Sequence, residues 1–439
     1  MSNRREVFKH FEKYKEYTDD RINNGIESAR KGWAEINLTD EEGKPIVGAK
    51  VTASQKTHQF KYGANLFMLD EMETDEKNRQ YKEYFKQAFN MATLPFYWSD
   101  LEPEKGAQRY DKNSPKIYRR PAIDLCMEFC EQNGIEPREH ALAYEHFFPK
   151  WLAGKDDNTV KREYIRRCKE ISERYADKIP TIEVTNEMMW NKGQTDFYKG
   201  PDYIAWCFKT TEEYFPANQL VINEWSPIWI TKNECSIAYY LMIENALLKG
   251  ARIDAVGMQF HMFNKREHEP ESAKEYYNPR CLYDGLDKFA QFNLPIQITE
   301  VTVPAYSDSE EDESVQAELI ERFYSIWFSH PNVEQIIYWN LVDGYAAWAP
   351  QGDMTVGENY YYGGLIRHDL TPKPAYYTVK RLFEEKWRTN ENLSTDCDGT
   401  ASFKGFYGKY DITVEYNGQI YKKNIDLAKN RNNIFDIKL

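Results

Sequence analysis

Between residues 60 and 386, short apolar strand patterns alternate with amphipathic helical patterns, and this alternation constrains the fold more than any other feature of the chain. Alternating strands and helices pack as an α/β fold, and eight strands within this length favour a closed (β/α)8 barrel, or TIM barrel, over an open sheet. We predict the strands near residues 60–66, 88–93, 137–143, 180–186, 219–223, 253–260, 296–300 and 335–339. We predict the helices near residues 115–133, 159–176, 201–215, 235–249, 280–292, 311–329 and 374–386.

The segments that flank residues 58–390 have other patterns. Residues 1–33 are charged and helical in period, which predicts a surface helix. Residues 34–57 read as a β-hairpin or strand pair, and residues 396–439 return to strand patterns. The motifs Asp-x-x-Gly-Lys-Pro-x-x-Gly-Ala-x-Val before the barrel and Gly-x-Ala-x-Phe-x-Gly-Phe-x-Gly-x-Tyr after it resemble a carboxypeptidase-regulatory-like β-sandwich. This resemblance implies one accessory sandwich split by the barrel; the alternative is two unrelated β-appendages.

Charge and composition narrow the classes of partner. The net charge is −13, which argues against nucleic acid and anionic membrane and favours a neutral or cationic ligand. The sequence has no apolar stretch long enough to span a membrane and no apolar signal segment at its start, so we expect a cytoplasmic protein. The seven cysteines are scattered without zinc-site spacing, which predicts reduced thiols and no metal or cofactor. The sequence does not indicate an oligomeric state.

Two of the predicted strands end in a glutamate. Residues 181–187 read Thr-Ile-Glu-Val-Thr-Asn-Glu, and residues 296–300 read Ile-Gln-Ile-Thr-Glu. A polar group at the buried end of an apolar strand costs free energy, so it is usually retained for chemistry. In a (β/α)8 barrel, active sites lie at these carboxyl ends of the strands. Glu187 and Glu300, on strands four and seven, are therefore candidates for an acid and a base.

Five short motifs extend this pair and occur in the order typical of glycoside hydrolase family 10, the xylanase family. The chain resembles this family over about residues 58–386. The motifs are Ile-Glu-Val-Thr-Asn-Glu at 182–187, Gly-Met-Gln-Phe-His at 257–261, Ile-Thr-Glu at 298–300, Trp-Asn-Leu-Val-Asp at 339–343 followed by Trp348, and Pro-Lys-Pro-Ala-Tyr at 372–376.

The resemblance implies a retaining mechanism with two carboxylates about 5 Å apart. Glu187 would be the acid/base that holds a proton near neutral pH, and Glu300 would be the ionised nucleophile. Asn186 would bind the sugar 2-hydroxyl. The resemblance also implies substrate-site roles for a further set of side chains, with Gln259 and His261 holding Glu300: His140, Gln259, His261, Trp339 and Trp348. The two tryptophans are also explained by barrel packing, and residues 360–364, Tyr-Tyr-Tyr-Gly-Gly, by either an aromatic loop over the cleft or loop packing.

The sequence departs from the family at two places. The family carries Thr-Ala-Glu-Asn-x-x-Lys-Trp after strand two to grip the sugar two units back from the cleaved bond, whereas residues 92–98 read Ala-Thr-Leu-Pro-Phe-Tyr-Trp. On strand three, His140 is kept but Tyr144 and Glu145 replace the Trp-His pair of the family, and we expect both at the substrate site. Glu145 could bind a polar or cationic substituent, pair with Arg138, or point to solvent.

We therefore predict a retaining glycoside hydrolase that cleaves β-1,4-xylosidic bonds in xylan-derived oligosaccharides or related β-glycosides. One alternative is a retaining β-glycosidase for another sugar, because the usual grip is missing. A second is a non-catalytic carbohydrate-binding barrel. A third is a metal-dependent barrel hydrolase or isomerase that would use His140, Glu145, His146 and His261, although these residues lack a recognisable metal spacing.

Overall fold

The centre of the molecule is a closed barrel of eight parallel strands, as predicted. A computed structural model describes residues 4–193 and 195–439. The barrel closes because Gln335–Tyr338 of the last strand pairs with Lys61–Ala64 of the first. Numbered one to eight in chain order, the strands are Lys61–Asn65, Met91–Pro95, Glu136–His140, Thr181–Asn186, Gln219–Glu224, Ala255–His261, Ile296–Thr302 and Val333–Tyr338.

Helices surround the barrel and connect its strands. Those between and after the strands are Asp75–Ala88, Trp98–Leu101, Ile123–Asn133, Asp157–Tyr175, Asp196–Lys199, Tyr203–Tyr214, Glu234–Leu248, Glu269–Tyr276, Pro279–Ala290, Glu310–Ser329 and Pro374–Arg381, the last continuing as a π-helical turn over Leu382–Lys386. Single 3-10 turns lie at Glu145–Phe147, Lys150–Leu152, Met188–Trp190, Ser226–Trp229, Arg266–His268 and Gly357–Tyr361. No helix in the described ranges is long and apolar enough to cross a membrane.

One predicted helix begins later than expected, and one helix was not predicted. The helix predicted from residue 115 begins at Ile123, because Pro115 and Pro121 disfavour helix in the residues just before them. The helix Asp75–Ala88 was not predicted, although Thr74 is an N-cap whose side chain accepts a hydrogen bond from the Lys77 N–H at 3.2 Å. Only a narrow face of this helix is buried and its other positions are mostly charged, so its apolar residues do not show a clear helical period in the sequence.

The amino-terminal segment packs on the outside of the barrel. It consists of a 3-10 turn at Arg4–Phe8 and helices Lys9–Lys13 and Lys15–Ala29. Phe11 joins the barrel core, with its ring 5.9 Å from that of Phe323. Arg4 is buried and forms an ion pair with Glu269 at 2.8 Å, so the segment is tied to the barrel by both apolar and charged contacts.

The two flanks of the barrel form two further sheets around a shared core. Strand Lys31–Thr39 lies between Thr400–Phe406 and Ile434–Lys438 in one sheet, and Asn390–Ser394, Lys50–Gln55, Gly408–Tyr416 and Gln419–Leu427 follow in order in the other. Apolar residues of both flanks, among them Ile36, Val51, Phe403 and Ile412, pack in one cluster. Lys31–Thr39 and Lys50–Gln55 therefore do not pair as a hairpin; each strand pairs with carboxyl-terminal strands instead.

Candidate active site

A cleft with a volume of about 560 Å³ lies at the carboxyl ends of the barrel strands. Strands four and seven end in it, so the two glutamates of the sequence motifs face the same space. Eight of the ten side chains that the sequence predicted for the site line this cleft: His140, Tyr144, Asn186, Glu187, His261, Glu300, Trp339 and Trp348. Gln259 and Glu145 lie behind the lining and contact other residues, as described below.

Glu187 lies just past the end of strand four, at a turn. Its backbone is left-handed, with φ of 50°, an uncommon conformation for a residue other than glycine and one that is often found at functional positions. The Tyr144 hydroxyl donates to Oε2 at 2.7 Å, and the Gln259 amide donates to Oε1 at 3.1 Å. One donor follows strand three and the other lies on strand six, so the carboxyl group is oriented while one side stays open to the cleft.

Glu300 lies within strand seven and is only 3% exposed. Asn223 at the end of strand five donates to its Oε1 at 3.2 Å, and His261 at the end of strand six contacts its Oε2 through Nε2 at 3.1 Å. Burial raises the pKa of Glu300 well above its usual range, His140 opposes that shift, and the charge of Glu187 adds to it. The two hydrogen bonds favour the ionised carboxylate against this burial.

The protonation of His261 follows from its surroundings. Burial lowers the pKa of His261 to about 4, so the ring is neutral near pH 7. The ring Nδ1 lies 2.9 Å from the Thr302 hydroxyl, which can donate to it. The single ring proton then lies on Nε2 and is donated to Glu300. Because an ionised Glu300 can only accept, this tautomer, with Nδ1 accepting from Thr302, is the one that fits an ionised Glu300.

Asn186 connects the surroundings of the two glutamates. Its Oδ1 accepts from the Asn223 amide at 3.0 Å and from the Gln259 amide at 3.2 Å. Gln259 in turn contacts Glu187, and Asn223 contacts Glu300. Because two donors occupy the carbonyl oxygen of Asn186, its amide NH₂ group is the part able to donate to a ligand.

A buried ion-pair network lies beneath Glu300. Glu183 accepts from Arg138 and from His140 Nδ1, the latter at 2.8 Å, and all three side chains are fully buried. Burial alone would raise the pKa of Glu183, but His140 and Arg138 together lower it. The Tyr97 hydroxyl lies 3.0 Å from His140 Nε2, so this network extends to the cleft lining.

Gln259 and Glu145 have different partners from those predicted. Gln259 contacts Glu187 and not Glu300, and the amide that donates to Glu300 belongs to Asn223. Glu145 is buried and accepts from the backbone N–H groups of Lys192 and Gly193, the second at 3.2 Å. Arg138 pairs with Glu183 instead. Glu145 therefore ties the loop after strand three to the loop after strand four.

Aromatic side chains form the floor and the rims of the cleft. Trp339 is buried between His140 and His261, with ring centroids at 5.4 and 5.8 Å, and packs on Phe67. Trp348 is 67% exposed, and its ring centroid lies 5.0 Å from that of His146. In the segment 360–364, Tyr361 lines the cleft, which supports the interpretation as an aromatic loop over it.

The residues that the sequence interpretation missed include two that contact predicted site residues, Asn223 and Tyr97. Asn223 ends the apolar run Leu-Val-Ile at 220–222, the same signal that identified Asn186 and Glu187. Tyr97 follows strand two, and nothing in its neighbourhood distinguishes it from packing aromatics. The residues of the metal alternative are not brought together, since Glu145 faces backbone N–H groups and His261 contacts Glu300.

In the described part of the chain, one group of side chains is close enough to share a metal ion: His140, Glu183 and Glu300. His140 and Arg138 already contact the Glu183 carboxylate, and Asn223 and His261 contact Glu300. These contacts fit a hydrogen-bonded charge network better than an open set of metal ligands, which would keep their lone pairs free.

The chain is similar to known proteins of one class. The model of glycosyl hydrolase family 10 matches residues 54–382. Endo-1,4-beta-xylanase B of Thermotoga neapolitana is 27% identical over 342 residues, which cover 74% of this chain and 88% of that protein. The crystal structure of xylanase 10B from Thermotoga maritima superposes with a TM-score of 0.59 at 25% identity, over 75% of this chain and 96% of that one.

A longer relative matches almost the whole chain. The anti-sigma-I factor RsgI6 of Acetivibrio thermocellus is 28% identical over 420 residues, which cover 94% of this chain and 48% of that protein. The chain thus spans about half the length of this relative. The family match itself covers the barrel strands and the residues of the cleft described above. The chain therefore belongs to glycosyl hydrolase family 10.

Proposed function

We propose that the protein hydrolyses β-1,4-xylosidic bonds in xylan-derived oligosaccharides with retention of the anomeric configuration. The observation that carries this proposal is the pair of carboxyl groups, Glu187 and Glu300, which face one cleft with different hydrogen-bond partners. The relatives named as xylanases support the choice of bond.

In the first step, Glu187 protonates the glycosidic oxygen while a Glu300 carboxylate oxygen attacks the anomeric carbon. The bond from that carbon to the leaving oxygen breaks, the leaving sugar departs as an alcohol, and an ester between Glu300 and the glycone forms. In the second step, Glu187 takes a proton from water, whose oxygen attacks the same carbon and releases Glu300 as a carboxylate. Two inversions give net retention.

The surrounding side chains would assist these two steps in different ways. Asn223 and His261 stabilise the Glu300 carboxylate that leaves in the second step. The free amide NH₂ of Asn186 would donate to the sugar 2-hydroxyl, a contact that strengthens as positive charge develops at the anomeric carbon. Trp339 offers an apolar floor for the sugar ring at the base of the cleft.

The stereochemical course tests the mechanism directly. Proton NMR of an aryl β-xylobioside during hydrolysis should show the β-anomer of the sugar first, with the α-anomer appearing later by mutarotation. A Glu300→Ala sample under the same conditions provides the baseline. An α-anomer as the first product would refute the double displacement.

A second candidate is a retaining β-glycosidase for another sugar, because the family's Glu-Asn-Lys grip after strand two is absent. A panel of aryl β-glycosides, comprising xyloside, xylobioside, cellobioside, glucoside and arabinoside, distinguishes the two. The xylan proposal requires the xylobioside to have the highest kcat/KM. A higher value for cellobioside or arabinoside would replace xylose as the glycone while leaving the mechanism intact.

A further inference from the structure

The long connection between strand two and helix Ile123–Asn133 brings two adjacent arginines to the cleft. Arg119 and Arg120 both line it, on the side formed by the segments that follow strands one, two and eight. This is the connection in which the Glu-Asn-Lys grip is missing. A pair of guanidinium groups therefore lies on the segment from which polar sugar contacts were expected.

Arg119 is buried without an ion pair to any carboxylate of the described residues. Only 5% of it is exposed, its Nη1 and Nη2 donate to Asn340 Oδ1 at 3.1 and 3.2 Å, and Nη1 also donates to the Tyr345 carbonyl. Its Nε is buried and has no partner. The Asn340 side-chain amide donates to the Glu358 carboxylate at 3.2 Å, so Glu358 compensates the charge of Arg119 only through Asn340. Burial lowers the pKa of Arg119, and the charge of Glu358 opposes that shift. Burying a cation with so little compensation is costly unless a ligand completes it.

Arg120 lies over the aromatic wall of the cleft. Its guanidinium carbon lies 4.3 Å from the centroid of Tyr97 and 5.1 Å from that of Phe147. Asp100 pairs with its Nε at 2.7 Å, and Nη1 donates to the Arg119 carbonyl at 2.8 Å. These contacts fix the plane of the group while Nη2 has no hydrogen bond among the described residues. A fixed guanidinium plane is suited to bind a carboxylate.

The charged side chains that line the cleft also favour an anionic ligand. Apart from Glu187 and Glu300, the permanently charged residues of the lining are three cations and one carboxylate: Arg119, Arg120, Lys192 and Glu358. The chain as a whole carries a net charge of −13. With Glu300 ionised and Glu187 protonated, the lining has three cations against two carboxylates, so the arginine side of the cleft accommodates an anionic group better than the net charge of the chain implies.

We propose that Arg119 and Arg120 form a subsite for the carboxylate of a uronic acid carried by the substrate. This inference rests on the proposed glycosidase function, because that function supplies the sugar to which the carboxylate is attached. The preferred substrates are then acidic xylo-oligosaccharides, and neutral ones are cleaved more slowly.

The test compares two matched substrates: 4-nitrophenyl β-xylobioside and the same compound with glucuronic acid on its non-reducing xylose. The wild-type kcat/KM should be about 10-fold higher for the acidic substrate. Raising NaCl should reduce that advantage, because salt screens charge recognition and leaves neutral recognition unchanged. Arg120→Gln should lower kcat/KM about 10-fold more for the acidic than for the neutral substrate. Arg79→Gln, at an exposed position on helix Asp75–Ala88, is the matched control and should change neither.

Equal losses on both substrates, or a wild-type enzyme without preference at low salt, would overturn the subsite. Calorimetric titration of Glu300→Gln with the two parent oligosaccharides separates binding from turnover, and the acidic one should bind about 10-fold more tightly. If neither aryl substrate is hydrolysed but this difference remains, the proposed reaction fails and the subsite stands. If both are hydrolysed and bound equally, the reaction stands and the subsite fails.

Discussion

The surroundings of the two cleft glutamates differ in burial, rigidity and charge. Glu300 is inside a strand, 3% exposed, and is flanked by amide and imidazole donors above the buried Glu183 network. Glu187 is on a left-handed turn, partly exposed, and is held by one phenol and one amide. A nucleophile needs a fixed position and a stabilised anion, whereas a proton donor needs contact with water and leaving groups. The structure supplies each set of conditions at one glutamate.

The contrast also bears on the proposed role of the buried Glu300 as the nucleophile. Burial raises the pKa of Glu300, which taken alone would favour its protonated form. His140 and the donors Asn223 and His261 oppose this effect. The ionised Glu300 thus depends on residues of strands three, five and six, whereas Glu187 depends on Tyr144 of the cleft lining and on the buried Gln259. Substitutions should therefore affect the two glutamates unequally.

The largest effect is expected at Glu300 itself. Glu300→Ala removes the nucleophile, and kcat/KM on aryl β-xylobioside should fall by about 10⁴-fold or more, because no covalent intermediate forms. The protein should remain folded, since the substitution removes a buried carboxyl that costs free energy to desolvate. Steady-state kinetics and thermal unfolding monitored by circular dichroism measure the two quantities. Glu267→Ala, the same change at an exposed position, is the control. Activity close to wild type would remove Glu300 from the reaction.

A smaller and substrate-dependent effect is expected at Glu187. Glu187→Ala should lower kcat/KM about 10²- to 10⁴-fold for poor leaving groups, because general acid catalysis is lost. The loss should be much smaller for dinitrophenyl glycosides, whose leaving groups need no proton. Azide should then accelerate turnover of the activated substrate and give a β-glycosyl azide, which NMR identifies. An equal loss for all leaving groups, with no azide product, would contradict the acid/base role and make the two glutamates equivalent.

Both glutamates could be singled out from the sequence because each follows a short, mostly apolar strand pattern, although the structure places Glu187 just past strand four and Glu300 within strand seven. The order of the strands followed from the alternation with helices. The hydrogen-bond partners of the glutamates were harder to predict from the sequence. Gln259 is paired in register with Glu300 across strands six and seven, and a register shift lies next to it. Its side chain nevertheless reaches Glu187, because closure of the barrel brings strand four to the same space. The direction of the Gln259 side chain therefore depends on the closed barrel and cannot be derived from the local sequence pattern.

Three other parts of the structure could not be predicted, each for a different physical reason. Glu145 binds backbone N–H groups of a distant loop, and backbone donors carry no sequence signature. Helix Asp75–Ala88 buries only three of its residues, so charged positions dominate its composition and mask its period. The two arginines of the cleft lie in a long loop, and a loop pattern does not indicate which side chains point inward.

An intermediate effect is expected from the donor that supports Glu300. Asn223→Ala removes the hydrogen bond to Glu300 Oε1, which favours the ionised form, so the pKa of Glu300 should rise further. In the proposed mechanism the ionised form of Glu300 is the active one, so the loss of activity on acidification should begin at a higher pH than in the wild type. The acid limb of the kcat/KM profile should move up by about one pH unit. The pH profile of kcat/KM on an aryl glycoside, recorded beside wild type, measures the shift. An acid limb that stays in place or moves down would show that Asn223 does not support the anion.

The smallest effect is expected at the partner of Glu187. Tyr144→Phe keeps the ring and removes only the hydroxyl that donates to Oε2 at 2.7 Å. The Gln259 contact remains, so Glu187 should be less well oriented but still present, and kcat/KM should fall by about 3- to 10-fold. The loss should grow as the leaving group becomes poorer, which a series of aryl glycosides reveals as a steeper dependence on leaving-group acidity. Tyr360→Phe, a matched change on the aromatic segment 360–364, is the control. A loss that is uniform across the series would place Tyr144 in substrate binding instead, and the two glutamates would then differ less than their surroundings indicate.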